Sequence, residues 1–264
     1  MECLEGVTDP MSELVQQASA MLENAQRILV LTGAGVSAES GVPTFRSEGG
    51  LWRSYRPQEL ATPEAFQRDP VLVWEWYQWR RGLIAECAPN PGHHALARLA
   101  LCRDGITLVT QNVDGLHHRA ARDAADSLGV MNPESAFPLE VHGALHRDRC
   151  SGCGRRTAAC TEGDSGPPDC TDCGAPLRPD VVWFGESLDP RVIGAAQEAA
   201  LHADVCLVAG TSALVYPAAG LPEITRQSTG VVIEVNLAPT PLTASATISL
   251  RGPTGEVLPM IVGS

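Results

Sequence analysis

Five short apolar runs punctuate the chain: Ile28–Thr32, Ile106–Thr110, Val181–Phe184, Val205–Ala209 and Val231–Val235. Runs of this length, mostly β-branched and leucine residues, predict strands of a parallel sheet buried on both faces. Between them lie stretches with helical apolar spacing. In Ser12–Asn24, Leu14, Val15, Ala18, Met21 and Leu22 fall on one helical face. Pro70–Glu86, Gly92–Cys102, Asp189–Ala203 and Pro217–Arg226 read as further helices. This alternation predicts an α/β fold, a Rossmann-like doubly wound parallel sheet. Residues 144–180 break the pattern, being rich in glycine and proline with no helical period. The expected organisation is one large domain, built from 12–143 and 181–264, with a small module inserted at 144–180.

The predicted strands end on polar residues. After the first comes Gly33-Ala34-Gly35-Val36-Ser37, after the second Gln111-Asn112-Val113-Asp114-Gly115, and later Gly210-Thr211-Ser212 and Asn236-Leu237. One such end is often only a helix cap or a turn. Four of them, converging where a doubly wound sheet reverses its strand order, point to a ligand crevice. Gly33 and Gly35 lack the Cβ that would keep backbone N–H groups from a pyrophosphate, which suggests a dinucleotide. The generic Gly-x-Gly-x-x-Gly fingerprint is incomplete, with Ala38 at the third position and no acidic strand end about 20 residues on. A polar loop with Ser40, Pro43, Phe45 and Arg46 follows instead.

Nine cysteines bear on compartment and metal. Cys150-x-x-Cys153 and Cys170-x-x-Cys173, with sixteen residues between the pairs, match a tetrahedral zinc ribbon. A redox pair or disulfides are the alternative readings. No histidine or glutamate is interleaved with the four thiols in a way that suggests a catalytic site, so the predicted role is structural. The chain has 264 residues and a formal net charge of −12, which argues against nucleic-acid binding and suits a basic, lysine-bearing protein tail. No apolar run approaches the ~18 residues of a membrane span. Met1–Pro10 is acidic, without a signal-like apolar core. A cytoplasmic protein with no membrane partner is expected, with a monomer as the expected state.

Taken together, Gly33-Ala34-Gly35-x-Ser37-x-x-Ser40-Gly41-x-Pro43-x-Phe45-Arg46, Gln111-Asn112-Val113-Asp114, His142-Gly143, the four cysteines and Gly210-Thr211-Ser212 resemble the sirtuins over about residues 28–259. These are NAD-dependent protein lysine deacylases with a structural zinc. The resemblance implies a reaction in which the acyl oxygen attacks the ribose carbon that nicotinamide leaves. A histidine base then activates a ribose hydroxyl, and O-acyl-ADP-ribose is released. His142 matches that base, although by itself a lone histidine is more often structural. Asn112, also placed among the catalytic residues, and Asp114 match the pair that orients the nicotinamide ribose and carboxamide. Asp114 by itself could be an Asx-turn residue. Gly33, Ala34, Gly35, Ser37, Phe45, Arg46, Trp52, Gln111, Val113, Gly210, Thr211, Ser212, Asn236, Leu237 and Thr254 match the rest of the NAD site. Val182 and Phe184 match an edge strand that pairs with the peptide substrate.

Within the helix Pro70–Glu86, Tyr77 and Arg80 stand at i, i+3, on one helical face. An amphipathic helix with core aromatics would look the same. In the sirtuin context, Tyr-x-x-Arg resembles the class that removes succinyl, malonyl and glutaryl groups, with a phenol and a guanidinium holding a terminal carboxylate. Thr44, where many deacetylase-type members carry aspartate, fits that reading. The chain also departs from the family. Ala121 replaces a usual glycine, and Ala121–Glu140 carries turn formers (Gly129, Asn132, Pro133, Pro138) that suggest a surface excursion. Competing readings are an NAD oxidoreductase, a protein mono-ADP-ribosyltransferase and a non-catalytic zinc-module interaction protein.

Overall fold

A computed structural model describes residues 10–43, 55–160 and 166–263. In chain order the elements are α1 (Pro10–Asn24), β1 (Ile28–Thr32), α2 (Ala34–Ala38), α3 (Pro57–Leu60), α4 (Pro63–Arg68), α5 (Pro70–Ala85), α6 (Pro91–Cys102), β2 (Ile106–Thr110), α7 (Leu116–Leu128), β3 (Leu139–Glu140), β4 (Gly143–Cys150), β5 (Arg156–Ala158), β6 (Leu177–Val181), α8 (Pro190–His202), β7 (Val205–Ala209), α9 (Leu221–Gln227), β8 (Val231–Asn236), β9 (Ile248–Arg251) and α10 (Thr254–Val262).

Six parallel strands form one sheet in the order β3-β2-β1-β7-β8-β9. Counted within that sheet alone, this is the doubly wound order 3-2-1-4-5-6, with its reversal between β1 and β7. Every residue of β1 and β7 is buried. Alternation along the strands feeds two cores. Ile28, Val30 and Leu207 pack with Leu22, Leu96, Leu250 and Leu258 on one face. Leu29, Leu31, Cys206 and Val208 pack with Ala196, Ala200 and Leu221 on the other. The register pairs Thr32 with both Thr110 and Ala209, and Ala209 with Val235. Four carboxyl ends therefore finish in one row.

A separate antiparallel sheet, β5-β4-β6, carries the cysteine pairs. Its Leu145, Val181 and neighbouring Trp183 share an apolar cluster with Leu60, Phe66, Val73, Trp76 and Tyr77 of α3–α5 and with Val113. The helices preceding α6 thus cover the small sheet and lean on the strand-end loop after β2. No described helix is long and apolar enough to cross a membrane.

Several elements differ from the sequence reading. The run Val181–Phe184 is not a strand of the large sheet: Val181 closes β6, and residues 182–184 cross between the lobes. Val182 donates its N–H to the His142 carbonyl and Phe184 to that of Ala61, so the run is apolar because Trp183 is buried between lobes. β9, whose residues alternate buried and half-exposed, completes the sheet edge and carries too short an apolar signal to stand out. The first part of the expected excursion, Ala121 to Leu128, belongs to α7. Ala120, Ala121 and Ala124 form a buried small-residue face of α7 against Ala97 and Ala100 of α6. Ala121 is fully enclosed, and the turn begins only at Gly129, whose φ of +66° ends the helix.

Candidate functional site

The glycines at the row of strand ends are required by packing between strands. A Cβ on Gly35 would sit 2.7 Å from the Gly210 Cα, and one on Gly33 2.7 Å from the Thr211 Cβ. Gly210, at φ +60°, faces the same constraint, with Val36 N 2.3 Å from a would-be Cβ. The N–H groups of Gly33 and Gly35 donate to the carbonyls of Ala209 and Gly210 at 3.1 and 2.7 Å. Those two N–H groups therefore stitch β1 to β7, which is a different use from the phosphate contact that the turn suggested. Gln111 Nε2 donates to Thr211 Oγ1 (2.9 Å) and Asn236 Nδ2 to the Thr211 carbonyl (3.0 Å), tying the ends of β2 and β8 to that of β7.

Ser37, fully buried in α2, is the hub of the crevice. Its hydroxyl donates to Asp114 Oδ2 at 2.7 Å and accepts from Asn112 Nδ2 at 3.0 Å. His93 Nε2 approaches the same oxygen at 3.3 Å. The tautomer follows from the helix cap. Asn90 caps α6 and donates its own N–H to His93 Nδ1 at 3.3 Å, so Nδ1 is the acceptor and Nε2 carries the proton. The Ser37 oxygen then spends one proton and two lone pairs and is saturated. Burial drives the His93 pKa down to about 3, and that of His117 well below the usual range, so both rings are neutral at pH 7. Thr32 Oγ1 lies 2.9 Å from both Thr110 Oγ1 and His117 Nε2, extending this network under β1 and β2. Burial raises the Asp114 carboxyl pKa, against the N–H of Leu116, the Ser37 hydroxyl and the Arg80 charge.

His142, half-buried just before β4, points Nδ1 at the Gln111 carbonyl 3.0 Å away. A carbonyl can only accept, so Nδ1 holds the proton and Nε2 is left as the basic nitrogen. Burial lowers the ring's pKa against that hydrogen bond, which keeps the imidazole neutral and basic near pH 7. The result is a base with a fixed tautomer, anchored to the residue before Asn112.

On α5, Tyr77 is fully buried and its oxygen accepts the indole N–H of Trp183 at 2.8 Å. The Arg80 guanidinium lies 5.2 Å from the Trp76 ring centroid and 5.8 Å from that of Tyr77. Burial lowers the Arg80 pKa, with Tyr77 and Asp114 opposing it. Of the two, the Arg80 guanidinium senses the Asp114 carboxylate at the crevice, while the Tyr77 phenol meets Trp183 between the lobes.

The four cysteine thiols lie within 4.8 Å of one another, with Cys150–Cys173 at 3.4 Å and Cys153–Cys170 at 3.7 Å. Thiolates bound to zinc at about 2.3 Å sit about 3.8 Å apart in a tetrahedron, so this cluster fits the ion and excludes a disulfide. The N–H groups of Cys153 and Gly152 point at Cys150 Sγ and lower its pKa, favouring the thiolate that binds metal. With four thiols and no open position, the site is structural.

The remaining predicted residues scatter. Val113 packs into the inter-lobe core. Ala34 opens α2, and Ser212 follows Thr211 in the loop after β7. Leu237 is largely exposed beyond β8, and Thr254 is buried at the start of α10, its hydroxyl on Glu39 at 3.2 Å. Phe184 is half exposed beside Ala61. Phe45, Arg46 and Trp52, with Thr44, lie outside the described residues. His93 and His117, which no site motif in the sequence singles out, are buried in the Ser37 and Thr32 networks. The Asn90-Pro91-x-His93 spacing of a capping box was the one local signal for the first of them.

A Sir2 family model matches residues 33–217. NAD-dependent protein deacylase 2 of Pyrobaculum aerophilum is 47% identical over 92% of this chain and 92% of its own length. A Sir2 homologue solved in complex with NAD superposes with a TM-score of 0.83 at 44% identity, covering 94% of this chain and 92% of that one. A mutant Sir2 homologue in complex with 2′-O-acetyl ADP ribose gives 0.82 at 44% identity, covering 97% and 95%. With the crevice at the β1–β7 reversal, a histidine held in one tautomer and the four-thiol cluster in place, the match over most of its length shows that this chain belongs to the Sir2 family, the sirtuins.

Proposed function

We propose that this protein is an NAD-dependent protein-lysine deacylase that moves the acyl group from lysine to ADP-ribose, and that acidic acyl groups are among its substrates. NAD supplies the acceptor sugar and nicotinamide as the leaving group. The observation that carries the reading is the His142 Nδ1 contact with the Gln111 carbonyl, which leaves a neutral Nε2 to take a proton from a ribose hydroxyl. Asn112 and Asp114, held by Ser37, offer amide and carboxyl groups to orient the nicotinamide half. The strand ends at Gly33–Gly35, Gln111, Gly210–Ser212 and Asn236 suit the rest of the dinucleotide, with Leu237 and Thr254 at its adenosine end. Val182 and Phe184, between the lobes, suit an extended acyl-lysine peptide.

Tyr77 and Arg80 support the acidic-acyl reading. A guanidinium and a phenol on one helical face would hold a terminal carboxylate, an interaction that the methyl of an acetyl group cannot make. The zinc lobe, expected at 144–180, holds the peptide-facing segment against the large domain. Thiolate-bound zinc suits a reducing compartment, and we place the protein in the cytoplasm.

The test incubates acetyl-, succinyl- and malonyl-lysine peptides with NAD and follows products by mass spectrometry. Nicotinamide and O-acyl-ADP-ribose should form, and His142→Ala should abolish both. NADH formation, or labelled NAD incorporated into protein without deacylation, would overturn the assignment. Arg80→Met should weaken desuccinylation far more than deacetylation, and equal losses would remove the carboxylate role.

A further inference from the structure

Trp183 sits between the lobes with its indole N–H on Tyr77 Oη at 2.8 Å. Indole is a donor only, so the phenol oxygen must act as acceptor toward it. Tyr77 has one proton to give, and among the described residues none accepts it. We propose that Trp183 is a specificity-determining positioning residue: its N–H occupies the Tyr77 oxygen and thereby commits the Tyr77 hydroxyl proton to an acceptor group on the acyl chain, such as a carboxylate. The assignment rests on the acidic-acyl reading of Tyr77 and Arg80 given above.

Three features make this a built device. The Trp183 ring is fixed on both sides, with the Arg178 guanidinium carbon 3.2 Å from its centroid and Phe66 packed against it at 5.3 Å. Its backbone N–H is held by Glu186 Oε2 at 2.8 Å, and that carboxylate is clamped by Arg178 (2.6 and 2.9 Å) and Arg149 (3.0 and 3.1 Å). The indole therefore cannot swing away to free the phenol oxygen. Secondly, a hydroxyl that accepts a hydrogen bond becomes a stronger donor, so the indole also strengthens the contact it directs. Thirdly, burial raises the Tyr77 pKa, and the phenol keeps its proton through the neutral range. Trp183 touches no reacting atom in this scheme and acts through Tyr77.

A double-mutant cycle on the full-length protein tests it. Trp183→Phe keeps a ring under Arg178 and removes only the indole N–H with part of the ring. kcat/KM is measured on matched succinyl- and acetyl-lysine peptides for the parent, Trp183→Phe, Tyr77→Phe and the double variant, with Arg80→Met alongside. Trp183→Phe should lower the succinyl-to-acetyl ratio about five- to tenfold, the size of one lost hydrogen bond, chiefly through KM. Tyr77→Phe, which keeps the ring volume, should lower it at least as far. In the Tyr77→Phe background, Trp183→Phe should change the ratio no further, because the acceptor it acts on is gone. If Arg80→Met shifts the ratio but Trp183→Phe leaves it alone, or shifts it equally in both Tyr77 backgrounds, the pocket reading stands and the Trp183 assignment is overturned. If Arg80→Met itself leaves the ratio unchanged, the carboxylate reading fails and the assignment fails with it.

Discussion

Substituting alanine at two glycines separates backbone strain from strand-end packing. Gly129 and Gly210 have nearly the same left-handed φ, +66° and +60°. A Cβ on Gly129 meets nothing within 4 Å, whereas on Gly210 it would stand 2.3 Å from Val36 N and 2.7 Å from Gly35 C. Gly129→Ala should therefore cost only the left-handed penalty, about 1 to 2 kcal/mol. Gly210→Ala carries that penalty plus a clash with backbone atoms that cannot rotate away, typically a further ~1–3 kcal/mol for overpacking. A combined loss of about 2 to 5 kcal/mol is a large share of the ~5–15 kcal/mol that stabilises a domain. Urea unfolding followed by circular dichroism measures both losses, and NAD affinity by calorimetry reports the site. NAD affinity should fall for Gly210→Ala, because relieving the clash must part β1 from β7 at the crevice, and should hold for Gly129→Ala. Equal unfolding losses for the two variants would refute the argument that Gly210 exists for close approach.

Other consequences can be measured directly. The kcat/KM of deacylation should rise with pH to a plateau, with an inflection below the ordinary histidine value of about 6.5, since burial lowers the His142 pKa and only the neutral ring is a base; an inflection above 6.5 would contradict its environment. His93 and His117 are neutral when folded and protonate when unfolded, so the unfolded state binds more protons as pH falls below about 6.5. Stability should decline from that pH toward about 3, with a slope approaching ~1.4 kcal/mol per pH unit for each ring. His93→Gln should flatten the slope, and an unchanged slope would exclude that ring. Cys150→Ser should lose zinc, read by metal analysis, and much of the folded protein, because structural zinc contributes folding energy directly. A stable, metal-free variant would remove the zinc assignment.

Much of the site was legible because its signals are local. Cys150-x-x-Cys153 and Cys170-x-x-Cys173 give four ligands by spacing alone, and the apolar runs at β1, β2, β7 and β8 give strands at the residues where the structure has them. Signals that depend on distant partners were not legible. His93 looks like any helix-start histidine until Ser37, 56 positions away in the chain, meets it. Ala121 looks like a lost turn until Ala97 and Ala100 of α6 close over it.

By itself, then, the sequence determined the alternation of strands and helices, the polar strand ends, the cysteine ligands and the Tyr77–Arg80 pair. All of these are set by periodicity or spacing within a few residues. Only the tertiary structure decided what those groups do to one another. Contact across the lobes makes Trp183 a donor to Tyr77 instead of a strand residue, and the Gln111 carbonyl chooses the His142 tautomer. The approach of Gly210 to Gly35 turns a phosphate-like glycine turn into a seam between β1 and β7. The physical reason is that hydrogen-bond direction, desolvation and close packing belong to pairs of groups, and the chain brings those pairs together only on folding.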